Sequence, residues 1–236
     1  MKPEPNPHHR HRFPAEIISH AVWLYHTFSL SFRDIELMLA ERGITLSYET
    51  VRCWCVKFGA SFAERVRRRR PRPGDKWFLD EVFVRINGII HYLWRAVDQH
   101  GVVLDVLVQS RRDGEAAKRF FRRLLVGLQY EPRVIVTDKL KSYGVARSSL
   151  LPNVEHRQSR YLNNRAENSH RPTRRRERHM QRFKSRDQAQ RFLFAYSFIN
   201  GHFRPRRHLL SAGSYRRARS SAFKIWRQET CARDAA

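Results

Sequence analysis

The run Lys76–Asp98, KWFLDEVFVRINGIIHYLWRAVD, constrains the fold of this 236-residue chain more than any other segment. Two apolar stretches rich in β-branched and aromatic residues flank Asn87-Gly88, a dipeptide that tolerates the positive φ angles of a tight hairpin turn. They read as antiparallel strands. Gln99–Gly101 forms a further turn into a third strand, VVLDVLVQS. DGEAAKRFFRRLLVGL then carries Phe120, Leu124 and Leu128 at helical spacing. RVIVTD follows as a short buried strand of the parallel type, LKSYGVARSSL as a helix and VEHRQ as another strand. From Tyr161 the chain reads as helix, with QAQRFLFAYSFIN packing back. The order β-β-β-α-β-α-β-α predicts a ribonuclease H-like α/β domain over residues 74–201.

Residues 13–70 read differently, as an all-α domain. Ile17, Ile18, Ala21, Val22 and Leu24 are spaced for one helix face. Ser31 is placed to cap a second helix that Gly43 stops, and Ser47 to cap a third. Two short helices joined by a brief turn fit a helix-turn-helix, the second carrying Tyr48, Arg52, Trp54 and Lys57 for DNA contact. A plain three-helix bundle is the alternative. RRRRPRPGDK is a charged, Pro- and Gly-containing boundary in which Arg67, Arg68, Arg69 and Arg70 suit phosphate contacts. Residues 1–12 are expected to be disordered, and His8, His9 and His11 are given no metal role. Residues 202–236 read as a basic tail in which only KIWRQET is ordered.

Charge narrows the partner. Lys and Arg outnumber Asp and Glu 47 to 22, a net charge of +25, which calls for a polyanion. No apolar run approaches the ~20 residues of a membrane span, and MKPEPNPHHRHRF lacks the apolar core of a signal peptide. The expectation is a cytoplasmic, nucleoid-associated protein with nucleic acid as partner and no membrane. Cys53, Cys55 and Cys231 are too few and too irregular for a disulfide framework.

Three carboxylates then stand out. On the first strand Phe78, Asp80, Val82, Val84 and Ile86 share one face at period two. An unpaired carboxylate buried there costs several kcal/mol, roughly, or takes a raised pKa. Glu81 points the other way and reads as a surface residue. Asp138 ends the buried strand RVIVT, at the end where open α/β sheets place their ligands. Glu167 lies among arginines, either in a capping box begun by Asn164 or in a site with the two aspartates. Hard oxygen ligands gathered in a very basic protein suit a divalent metal acting on phosphodiesters. Arg174, seven residues after Glu167, shares its helix face if the helix survives Pro172.

LDE, TDK with the following YG, VEHRQ, NNRAENSH and RRRER, taken in order, closely resemble the DDE transposases of bacterial insertion sequences, nearest the IS-six family. The resemblance runs from the helical N-terminus to about Asn200. It implies Asp80, Asp138 and Glu167 as the catalytic metal-binding triad, with Arg174 as the associated basic residue. It further implies two Mg²⁺ ions (or Mn²⁺), and binding of terminal inverted repeats and target DNA. Strand cleavage followed by strand transfer, replicative transposition, and a homodimer or higher oligomer on DNA complete the picture. The interval between Asp138 and Glu167 is shorter than usual in the group, which calls for a shortened loop near residues 148–152. Competing readings are a non-catalytic DNA-binding regulator, a ribonuclease H-like nuclease, and a recombinase with Tyr143 or Tyr161 as nucleophile.

Overall fold

The protein is described here by a computed structural model covering residue 8 and residues 11–159, 161–180, 182–205 and 210–231. The chain divides into two compact units, Met1–Arg70 with Ala195–Ala236, and Pro71–Phe194.

The first unit opens with three helices, α1 (Ala15–Thr27), α2 (Phe32–Ala40) and α3 (Tyr48–Arg69). Ser31 starts α2 through a capping box. Its Oγ accepts from the Asp34 backbone N–H at 3.1 Å while Asp34 Oδ2 accepts from the Ser31 N–H at 2.7 Å, satisfying two otherwise orphaned donors. Gly43, at φ +74°, takes the chain out of α2 in a conformation that side chains disfavour. Ser47 caps α3 by accepting from the Thr50 N–H. Ile18, Val22, Ile35, Leu39, Val51, Trp54, Phe58 and Phe62 form the shared core. The helix continues through Arg67–Arg69, so these arginines belong to its last turn and not to a linker.

The second unit is built on one five-stranded sheet. β1 (Lys76–Ile86), β2 (Ile89–Asp98) and β3 (Val103–Gln109) form an antiparallel meander. Asn87 at φ 49° and Gly88 at φ 82° make the β1–β2 turn. After α4 (Gly114–Leu128), β4 (Val134–Thr137) pairs parallel with β1. After α5 (Lys141–Leu150), the tight turn Leu151–Val154 leads to β5 (Glu155–Gln158), parallel to β4. The strand order is β3-β2-β1-β4-β5, the ribonuclease H-like arrangement anticipated from the element order.

Helices α4 and α5 cover one face of the sheet, burying Trp77, Leu79, Trp94, Phe120, Phe121 and Tyr143 together. The chain beyond β5 makes a 3₁₀ turn (Tyr161–Asn163), then α6 (Asn164–Ser169) and α7 (Arg171–His179). Asn163 ties this turn to the sheet, its Nδ2 donating to the carbonyl of Leu79 at 2.9 Å. α8 (Arg186–Phe203) begins in the second unit and ends in the first.

Two expectations about the chain ends need correcting. The segment read as a basic tail holds α9 (Ala212–Thr230), a 19-residue helix capped by Ser211. Its apolar side supplies Ala222 and Trp226, the latter edge-on to Phe62 and Phe203 at 5.6 Å in each case. Interspersed arginines hid that stripe from a composition-based reading. The N-terminus was expected to be disordered, yet His8 is buried against Phe58 and Phe62 and its Nε2 lies 2.6 Å from the Thr230 carbonyl. His11 meets Lys57 Nζ at 2.8 Å. Residues 1–7, 9 and 10 lie outside the described residues.

Candidate active site

Asp80 sits in the middle of β1, directly opposite Arg95 of β2. It is buried, and His170 Nε2 approaches its Oδ2 at 3.4 Å. Burial pushes the Asp80 carboxyl up to about 8, with the charges of Glu81, Asp138 and Glu167 adding to the effect in that order. Such a carboxyl is under-compensated by its surroundings. His170 is held well below its ordinary value by burial and by Arg95 and Arg174, so it faces Asp80 as a neutral ring.

Asp138 follows β4 at the sheet's carboxyl edge and remains partly open to solvent. Its Oδ1 accepts from the Leu140 N–H at 2.9 Å, and its Oδ2 faces Arg112 Nη2 at 4.0 Å. Glu167 lies exposed on α6. It is not a capping-box partner, because α6 begins after Asn163, whose side chain is committed to Leu79. The charges of Asp138 and Glu167, from two other parts of the chain, therefore both act on Asp80. Among the described residues no three His, Cys, Asp or Glu side chains form a ready metal shell. The donor chemistry still fits a hard divalent ion, since it is all carboxylate oxygen and the groups repel one another.

Arg174 is in α7, and the helix carrying Glu167 does not continue into it. The chain breaks at His170 and restarts with Pro172 in the first turn of α7, where a missing N–H costs nothing. Arg174 donates to Glu177 Oε2 at 2.9 Å and lies 4.9 Å over the Phe83 ring.

Several residues here were misread or missed. Glu81 is no surface residue: its side chain is 1% exposed, because α4 and α5 close over the face it shares with Trp77 and Leu79. It accepts from Tyr143 Oη at 2.5 Å and from Arg112 Nε at 2.6 Å. Burial raises its pKa, partly offset by those two donors. Tyr143 is fully buried and held well above its ordinary value by burial and by Glu81, so it cannot serve as a recombinase nucleophile. Arg95, whose Nη1 donates to Thr173 Oγ1 at 3.3 Å, joins α7 to the sheet. Period-two spacing from Trp77 and Leu79 was the one signal in the sequence for Glu81.

The residues expected to meet DNA divide sharply. Tyr48, Arg52 and Lys57 are exposed on α3. Arg52 pairs with Glu49 at 2.5 Å. Trp54 is only 4% exposed and packs edge-on to Phe13 at 5.4 Å. It belongs to the core of the helical unit. Of the arginine run, Arg67 and Arg70 lie over Phe198 at 5.2 and 5.4 Å, and Arg69 pairs with Glu229 at 2.5 Å. Arg68 is the most outward of the four, 3.5 Å from Glu64.

Residues 74–206, more than half of the chain, match the model of a family described as a DDE domain. Over 165 residues the chain is 32% identical to the transposase for insertion sequence-like element IS431mec of Staphylococcus aureus (strain N315), an alignment covering 68% of this chain and 73% of that relative. The chain belongs to the DDE transposase family. It is also 31% identical, over the same length and coverage, to the transposase for insertion sequence element IS257 in transposon Tn4003 of Staphylococcus aureus. The transposase is thus placed among enzymes that cleave DNA and transfer polynucleotide strands. Among solved structures it is similar to the HTLV-2 integrase catalytic core domain in complex with magnesium. The dimeric form is 17% identical, covers 41% of this chain and 67% of that one, and gives a TM-score of 0.34. The trimeric form is 12% identical, with 62% and 95% coverage and a TM-score of 0.39. Likenesses so distant add nothing to the assignment.

Proposed function

We propose that the transposase cleaves DNA at the terminal inverted repeats of its insertion sequence and joins the freed 3′-OH to target DNA, using Asp80, Asp138 and Glu167 as its metal-binding carboxylates. The observation that carries this reading is the placement of Asp80 on β1 and of Asp138 just past the end of the parallel strand β4, each two residues beyond the paired Phe78 and Val136, with Asp80 raised by burial and by the charges of Glu81, Asp138 and Glu167. Burial holds the Asp80 carboxyl high, and a histidine kept neutral by its own burial lies 3.4 Å from its Oδ2.

In this reading Asp80 and Asp138 present oxygens from the rigid sheet, and Glu167 completes the set from α6. These carboxylates would hold two Mg²⁺ or Mn²⁺ ions, which when bound would supply Lewis-acid stabilisation of the charge developing during phosphoryl transfer. Arg174 contacts a phosphate beside the scissile bond. Tyr48, Arg52 and Lys57 on α3 read the repeat, and the net charge of +25 draws in the DNA backbone. Two ends must be brought together, so a dimer is the smallest working assembly, and transposition follows the replicative route.

The test is cleavage and joining of DNA bearing the element's ends, with Mg²⁺ or in EDTA. Asp80→Asn, Asp138→Asn and Glu167→Gln should each abolish both steps and leave end binding intact. Joining at wild-type rate by one variant would remove that residue from the triad.

A further inference from the structure

Arg112 lies in the loop between β3 and α4, ahead of the α4 cap Asp113. A half-exposed loop arginine ordinarily gains little from an ion pair and keeps many rotamers. This one is fixed. Its Nε donates at 2.6 Å to Glu81, a carboxylate with a 1% exposed side chain. Glu81 is itself immobilised from the far side by Tyr143 Oη at 2.5 Å, and Tyr143 is clamped in the core, edge-on to Trp94 at 5.4 Å. With Nε so anchored, the planar guanidinium leaves Nη2 4.0 Å from Asp138 Oδ2, an ion pair without a hydrogen bond. The other oxygen, Oδ1, is held by the Leu140 N–H at 2.9 Å.

We propose that Arg112, braced by the buried Glu81–Tyr143 pair, is a positioning residue that orients the Asp138 carboxylate for metal. The inference rests on the reading of Asp138 as a metal ligand. One oxygen of Asp138 is held by a backbone donor, and the other faces the arginine fork at ion-pair distance, so the fork biases the carboxylate's orientation before an ion arrives. Arg112 does not simply compete with the ion for Asp138. It is held at 2.6 Å by Glu81 and stands 4.0 Å from Asp138, so Glu81 fixes where its charge sits beside Asp138. Only a fork can do this: a lysine ammonium could neutralise Glu81 but not span both carboxylates from one anchored plane. The buried Glu81 is thereby explained as well. A carboxylate placed in an apolar core next to Trp77 and Leu79 is costly, and its return is a rigid base for Arg112.

The experiment is a Mg²⁺ titration of end cleavage with Arg112→Ala, Arg112→Lys, Tyr143→Phe and Asp138→Asn, alongside melting temperatures and end binding in EDTA. Groups that orient metal ligands typically change metal affinity or activity by about 10- to 100-fold when removed. Arg112→Ala should raise the Mg²⁺ needed for half-maximal rate by about tenfold or more while end binding stays near wild type. Arg112→Lys should restore the melting temperature but not the Mg²⁺ dependence. Tyr143→Phe, which keeps the ring packing, should shift the Mg²⁺ dependence in the same direction by less. Wild-type Mg²⁺ dependence in Arg112→Ala, or full rescue by Arg112→Lys, would overturn the positioning role. If Arg112→Ala does not fold, the Arg112→Lys and Tyr143→Phe titrations decide by the same criterion. An inactive Asp138→Asn beside a normal Arg112→Ala sinks this inference alone; an active Asp138→Asn sinks the triad reading beneath it.

Discussion

Asp80 on β1 and Asp138, just past the end of β4, stand at matching steps, each two residues beyond the paired positions Phe78 and Val136. Phe78 and Asp80 point to one face at period two, so the pairing that fixes the strand register also fixes how the two carboxylates meet. A one-residue slip of β4 would separate them.

The burial of Asp80 among other carboxylates has a thermodynamic signature. Asp80 holds its proton in the folded protein up to about pH 8, against an ordinary value of 3.8. Between those limits the folded state binds more protons than the unfolded chain, so stability falls as pH rises and the full penalty is present above about pH 8. Below pH 3.8 it vanishes. Asp80→Asn should therefore stabilise the metal-free protein by roughly 1–3 kcal/mol at pH 8, discounting the ~1.4 kcal/mol per pKa unit for relaxation and partial solvation. The gain should shrink towards zero near pH 4. Thermal melts across that range in EDTA check it, and a gain independent of pH would contradict the burial argument.

The same proton couples metal binding to pH. A carboxylate must be deprotonated to act as a ligand. Apparent Mg²⁺ affinity should rise by up to about tenfold per unit between pH 6 and pH 8 and level off above about 8, where Asp80 is ionised. Calorimetry in buffers of different ionisation enthalpy should show about one proton released per binding event at pH 7. Binding without proton release would mean that Asp80 is not among the ligands.

How much of this was legible beforehand depends on the kind of signal. Period-two alternation and the Asn87-Gly88 turn gave β1 to β3, because a strand's pattern and its turn chemistry are local. Asp80 and Asp138 were legible for the same reason, each being a carboxylate in an apolar strand or at its end. Glu81 was not. Alternation shows that it faces away from Asp80 but not that α4 and α5 cover that side. Trp54 failed in the opposite sense, since a helix-turn-helix pattern does not say which face of α3 is turned inward. α9 was missed because Lys224, Arg227, Gln228 and Glu229 lie between its buried positions Ala222, Trp226 and Thr230. Break and restart of the helix at His170 depended on where Pro172 fell within a turn, which spacing alone leaves open.

Recognition should follow the exposed and buried faces of α3. Arg52→Ala should lose repeat-over-random discrimination worth ~1–3 kcal/mol if the arginine contacts a base edge, with little change in melting temperature, since an exposed pair with Glu49 contributes little. Trp54→Ala should instead destabilise the unit by about 3–5 kcal/mol. Competition binding paired with melting curves separates the two. A folded Trp54→Ala protein with selectively impaired DNA binding would return that residue to the interface.

The arginine run should divide in the same way. Arg68 projects outward, so Arg68→Ala should weaken binding to all DNA and reduce the salt slope by about one. Arg69→Ala removes the partner of Glu229, and Arg67→Ala removes a cation over Phe198. Both should lower the melting temperature and leave the salt slope nearly unchanged. Equal salt slopes lost at all three positions would show a diffuse phosphate-binding patch.

Because the chain breaks at His170, no continuous helix links Glu167 to Arg174. Its position comes from α7 alone, which restarts at Arg171 and leaves Arg174 stacked on Phe83 and bonded to Glu177. Both contacts keep the guanidinium at the side of β1 without burying it, since its side chain is 30% exposed. A phosphate entering beside Asp80 could draw it away from Glu177, an exchange of one charged acceptor for another that costs little at a part-exposed site. Arg174→Ala should then reduce strand transfer more than Arg175→Ala, which is exposed on the same helix. Arg174→Lys should recover part of the activity if charge suffices, and little if two-point contact matters. Arg176→Ala is not a neutral control: Arg176 is 2% exposed, and its loss should lower the melting temperature before it affects chemistry. Strand-transfer rates normalised to folded protein resolve the three positions. Matching losses at Arg174 and Arg175 would mean that the helix contributes general positive charge, with no phosphate contact particular to Arg174.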